Sequence, residues 1–236
     1  MAERLATNRM VRLAAVAILA VALAYTEASV VVYLREVIVP IRSVHFPSAA
    51  HEPLPLLTVQ QLSEAGEVFV RLLIVEVTRE ITPLVVLLAM AWGLRRRKGE
   101  LVAFFVFGFG LWDIFYYAFL KVLLGWPASL GTWDVLYLIP TAWVAPVWAP
   151  LVISGTLVLT GLGILHRDER PHVDGRPFIC WFVLGLGVAL VLTSFFLRTR
   201  EAFHNVPLDF DWPVFLAGWL LGVAGLVWLL RPRGPR

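Results

Sequence analysis

Glu27, Glu76, Arg79, Glu80 and Asp113 are ionisable side chains set inside runs that otherwise read as membrane-spanning helices. A charge near the bilayer centre costs about 3 kcal/mol or more, so such residues face a protein interior and mark a functional site by default. The chemistry open to them is cation or proton binding, recognition of a polar headgroup, or acid–base catalysis by a buried carboxylate.

Spacing adds to this. Counted from the arginine-rich end of each helix at about 1.5 Å per residue, Glu27 stands ~24 Å above Val11, Asp113 ~20 Å above Glu100 and Glu80 ~21 Å above Leu94. Three helices thus carry carboxylates at one depth, in the outer half of a core ~30 Å thick. Glu76, Arg79, Glu80 and Pro83 follow helical spacing and share a face. Two carboxylates one turn apart repel, and Arg79 is the cation at hand to neutralise Glu76 and Glu80. A ligand site and a fixed structural network both fit this pattern.

Asp113, Tyr116, Tyr117, Leu120 and Lys121 form a second face. Asp113 is too short to reach an interface and needs a partner, for which Arg79 and Arg71 are the candidates. Tyr117 is the expected hydrogen-bond donor to a ligand, with Tyr116 in support. Lys121 lies near the outer interface, where its stem can snorkel. The connection after it, Gly125 to Asp134, is rich in turn formers and aromatics. Trp126, Trp133, Tyr137 and Trp143 fit an interfacial aromatic belt, and Asp134 and Trp143 join the supporting residues of the site.

Hydrophobic residues make up 59% of the 236-residue chain, well above the share in soluble domains. The chain is therefore read as an all-α polytopic membrane protein, a single transmembrane domain over residues 1–236. Six spans are expected: Val11–Leu34, Val68–Leu94, Leu101–Leu124, Ala142–Leu165, Phe178–Leu197 and Val214–Leu230. The first resembles a secretory signal in its opening residues, but its apolar run continues to a spanning length. Thirteen of the twenty Lys and Arg residues fall in the segments on the side of the N-terminus, so both termini are expected in the cytoplasm. Compact loops and an Arg- and Ala-rich composition suggest a bacterial inner membrane.

The first four spans (1–165) carry the polar layer, and the last two (166–236) carry no charge within the membrane. Gly218 and Gly222 form a GxxxG pair there, read as scaffold or as a docking face for a partner subunit. Pro140, Pro146 and Pro150 are expected to kink the fourth helix and free the carbonyls of Ala142 and Pro146. In the long outer loop, residues 56–62 read as a short interfacial helix.

Several chemistries drop out. The basic residues punctuate apolar runs instead of forming a stripe, which excludes nucleic acid. No span has an interior histidine, Cys180 stands alone, and there is no nucleotide motif, so no haem, thiolate-metal or nucleotide site is indicated and the cofactor is left open. His45, His51, Glu52, His204, Asp209 and Asp211 match no metal spacing. The leading reading is a site that binds or passes a cation, a proton or a polar headgroup. A noncatalytic subunit of a larger assembly, for example in electron transport, is the second reading. An intramembrane enzyme acting on a lipid-like substrate is the third.

Overall fold

The fold is taken from a computed structural model, which describes residues 2–45, 57–166, 177–203 and 209–231. His51, Glu52 and His204 of the outer polar cluster, and the side chain of His45, lie outside the described residues, as does the 167–176 connection. The chain is a membrane-embedded bundle of helices. Among the described residues five helices are long and apolar enough to cross a bilayer, namely Arg9–Ile41, Gly99–Leu124, Trp148–His166, Phe178–Ala202 and Trp212–Leu230.

The first helix, α1 (Ala2–His45), continues well past the expected end of its span. Its buried face repeats every four residues through Arg12, Val16, Ala20, Ala24 and Ala28. Alanines at this spacing let a neighbour approach closely, and that neighbour is α5 (Lys98–Leu124). Arg12 fastens the two at one end. Its guanidinium donates to Glu100 at 2.7 Å and to the carbonyl of Leu94 at 2.9 Å, and Glu100 in turn accepts the Arg96 N–H at 2.7 Å. The pair is buried, with side chains 10% and 11% exposed.

After the outer loop comes α2 (Val59–Ala65), the short helix expected near residue 56. Thr58 and Gln61 form a reciprocal cap that fixes its start. The second expected span is a broken one: α3 (Glu67–Arg79) and α4 (Ile81–Leu94) meet at Glu80. Pro83 explains the position of the break. It has no N–H to donate to the carbonyl of Arg79, four residues back, so the helical ladder is interrupted beside the charged turn. Val68, Leu72, Ile74 and Val75 leave α3 with an exposed apolar surface and no buried residue.

Helix α5 stops at Gly125, whose φ of 66° is the left-handed conformation glycine adopts without strain. Within this all-α bundle the chain then forms one short element that the expected six spans do not include. Residues Trp133–Tyr137 (β1) and Trp143–Pro146 (β2) pair as an antiparallel hairpin, with Asp134 opposite Ala145 and Val135 opposite Val144. The fourth helix, α6 (Trp148–His166), starts only after it. The expected kink is accordingly replaced: Pro140 and Pro146 belong to the hairpin and Pro150 to the first turn of α6, where a missing N–H costs nothing. The Ala142 carbonyl, expected to be free, accepts the Thr199 hydroxyl at 2.7 Å.

The last two long helices, α7 (Phe178–Phe196) and α9 (Trp212–Leu230), form a close pair joined through the short α8 (Thr199–Phe203). Gly187 of α7 crosses α9 so tightly that a Cβ there would stand 2.3 Å from the Gly222 nitrogen. The pair meets the rest of the bundle chiefly at one end, through Phe195, Phe210 and Phe215 against Ala145, Ala149 and Trp148.

Candidate functional site

The charged turn sits where α3 gives way to α4. Arg79 donates to both oxygens of Glu76, with Nε at 2.9 Å from Oε2, and its Nη1 reaches Glu27 on α1. One guanidinium thereby ties the broken span to the first helix, a fork suited to two carboxylates. It does not pair with Glu80, contrary to the expectation that it neutralises Glu76 and Glu80 together. Glu80 turns toward the hairpin instead. Its carboxylate accepts the Leu138 N–H at 3.0 Å, and its backbone carbonyl accepts the Tyr137 hydroxyl at 2.8 Å.

A second polar group lies on α5. Asp113 accepts the Ser154 hydroxyl of α6 at 2.7 Å, so its partner is a neutral serine and not Arg71 or Arg79. Gly110, one turn earlier, permits this contact: a Cβ there would sit 2.5 Å from the Ser154 carbonyl oxygen. One turn later Tyr117 donates to Asp134 of β1 at 3.0 Å and stacks edgewise on Tyr116 at 5.1 Å. Arg71 points outward in an exposed pair with Glu67. Lys121 donates to the carbonyls of Gly125 and Pro127 at 3.1 and 2.8 Å, which anchors the turn after α5.

These two groups border one cavity of about 740 Å³. Glu27, Glu76, Glu80, Asp113, Tyr116, Tyr117, Asp134 and Trp143 all line it. Most of the remaining wall is apolar, running from Ile38, Ile41 and Leu62 to Leu157, Leu184, Val188 and Leu226 on α6, α7 and α9. Burial pushes the Asp134 carboxyl up to about 7. The Tyr117 hydroxyl, the Val135 N–H and Arg35 pull it down, while the nearby Asp113 adds to the rise. Tyr137 is raised by burial and by the charges of Glu80 and Glu27.

Within the described residues, Glu27 and Glu76 have an ion-pair partner, whereas Glu80, Asp113 and Asp134 have none. Nor do any three His, Cys, Asp or Glu side chains among them stand close enough to hold a metal ion. Trp112, also on the cavity wall, is buried, and its indole Nε1 finds no acceptor among the described residues. Arg35 lies over the ring of Trp126 at 4.5 Å and lines the cavity as well.

Sequence reading missed Ser154, Trp112, Arg35 and the Arg12–Glu100 pair. A serine or tryptophan in an apolar run carries no signal, because both are common in packed helices. Arg12 and Glu100 did carry one, since each opens a span at the same end and their signs are opposite. The Gly218 and Gly222 face packs on α7 of the same chain, near Gly187 and Val191. Comparison with known protein families, with characterised proteins and with solved structures finds no match to this chain.

Proposed function

We propose that this membrane protein binds an amphiphile, holding its polar head against the carboxylate-bearing wall and its tail along the apolar part of the cavity. The observation that carries the reading is the cavity itself. Its volume is that of a small-molecule site, and its lining is largely apolar, with polar side chains from the charged turn (Glu27, Glu76, Glu80) and from the group around α5 and the hairpin (Asp113, Tyr117, Asp134). In the orientation we propose, α3 and α4 together make a sixth crossing, both termini are cytoplasmic and the carboxylates lie in the outer half of the membrane. The bacterial inner membrane fits that arrangement of arginines.

The apolar approach to Glu80 and Asp113 also favours a second reading, in which one of them serves as general acid or base on a lipid-like substrate. Native mass spectrometry of protein released gently from its membrane, with lipid analysis of the bound fraction, tests the proposal. A stoichiometric amphiphile that is lost on Glu80→Gln and Asp113→Asn supports it. A chemically altered amphiphile after incubation points to the enzyme. A bare chain, or one that arrives with stoichiometric protein partners, overturns both in favour of a subunit role.

A further inference from the structure

Resting on the amphiphile reading, we infer that the head this cavity accepts is an organic ammonium group carrying, or adjoining, an oxygen acceptor.

The charge balance of the wall is the first ground. Five carboxylates line the cavity (Glu27, Glu76, Glu80, Asp113 and Asp134) with one cation, Arg35, while Arg79 stands behind the wall between two of them. Arg79 is committed to Glu27 and Glu76, and Arg35 is held over Trp126. Glu80, Asp113 and Asp134 accept hydrogen bonds from neutral donors and form no ion pair: the donors are the Leu138 N–H, the Ser154 hydroxyl and the Tyr117 hydroxyl with the Val135 N–H, and Arg35 acts on Asp134 only through space. An anionic head gains no charged partner from these groups and is repelled by each of them that is ionised. A cationic one offsets part of that acidic excess in a medium where charge interactions are strong.

The second ground is independent of charge. The Trp112 side chain, on the same wall, buries an N–H that has no acceptor among the described residues. Leaving such a donor unpaired is costly; its nitrogen is closed off in the empty cavity, and a turn of the indole toward the occupant would bring it to an oxygen there. A bare metal ion supplies no acceptor, and the carboxylates are too dispersed to coordinate one. An organic ammonium needs no inner ring of oxygens. It is held by diffuse charge and by aromatic faces, which Tyr116, Tyr117 and Trp112 provide.

The test uses the full chain in a neutral maltoside micelle and chain-matched probes: dodecyltrimethylammonium, dodecanol and dodecyl sulfate. Binding is read by native mass spectrometry and by tryptophan fluorescence. The expected result is saturable one-to-one binding of the ammonium probe, at least tenfold tighter than dodecanol, with dodecyl sulfate weakest. Asp113→Asn and Asp134→Asn should each narrow that preference at least threefold. A dodecyl chain bearing an ammonium and an ester oxygen should bind tighter than the plain ammonium, and Trp112→Phe should remove that increment alone. Equal binding of all three first probes to the unaltered protein overturns the ammonium inference and leaves the amphiphile reading standing. Failure of every probe to bind overturns both. The probe comparison on the unaltered chain decides the matter even where a variant does not fold.

Discussion

Gly110→Ala should uncouple α5 from α6 at the site while removing no polar side chain. The added Cβ would lie 2.5 Å from the Ser154 carbonyl oxygen and 3.2 Å from the Val158 nitrogen, both backbone atoms that cannot rotate away. Ordinary contact begins near 3.4 Å, so α6 must retreat by ~0.9 Å. The Ser154 to Asp113 hydrogen bond, 2.7 Å long, would then stretch toward ~3.6 Å and cease to be one. Overpacking costs about 1–3 kcal/mol and the lost bond about 1, offset by up to ~1 kcal/mol from replacing a helical glycine with alanine. The net loss is about 1–3 kcal/mol, read by equilibrium unfolding in mixed micelles with tryptophan fluorescence. Gly155 supplies the control, because a Cβ there meets nothing within 4 Å and Gly155→Ala should be neutral or mildly stabilising. Ser154→Ala should also cost little once Gly110→Ala is present, since the bond it removes is already gone. Equal stability of Gly110→Ala and Gly155→Ala, or an undiminished cost of Ser154→Ala in the double variant, would refute the reasoning.

Glu100→Ala should destabilise the bundle by about 3 kcal/mol, because it takes the carboxylate from the buried Arg12 guanidinium and removes the acceptor for the Arg96 N–H; Arg12→Met with Glu100→Met should recover much of this in the same unfolding assay. Arg71→Ala should change stability by less than ~0.5 kcal/mol, since its pair with Glu67 is exposed. For Asp134 the folded-state value of about 7 lies above the ordinary 3.8, so its contribution is fully present below pH 3.8 and is lost as pH rises through 7. Its full span is at most about 4 kcal/mol. Unfolding of Asp134→Asn between pH 4 and 8 should lack that downward slope, and an unchanged slope would assign it to another group.

Hydropathy made the membrane class and the long helices legible, because twenty apolar residues in a row have few other uses. The charged turn was legible too, since Glu76, Arg79 and Glu80 break such a run. The hairpin was not. Residues 133–147 are apolar and rich in β-branched and aromatic side chains, and a short apolar run has the same look in a buried strand as at the start of a helix. Pro140 and Pro146 read equally well as kinks or as hairpin residues until pairing partners are known. The partner of Asp113 was missed for a different reason: a charge invites a search for the opposite charge, and a serine 41 residues on answers to no periodicity. The GxxxG pair marked a close helix contact, but spacing alone does not say which helix fills it.

The length of α1 bears on how the protein will behave once taken out of its membrane. With the hydrocarbon layer beginning near Val11, a 30 Å core ends about twenty residues later, near Val31. For a helix upright in the bilayer, Ile38 and Ile41, which line the cavity together with Leu57 and Leu62, would stand ~10–15 Å beyond that level, at the outer end of the apolar run that reaches Ile41. An emptied cavity therefore wets apolar walls at a cost of about 25 cal/mol for each Å² exposed. An occupant at a hundred times its dissociation constant returns about 2.7 kcal/mol to the folded state. Exhaustive detergent washing should lower the melting temperature step by step, and adding back the lipid extract of the source membrane should restore it.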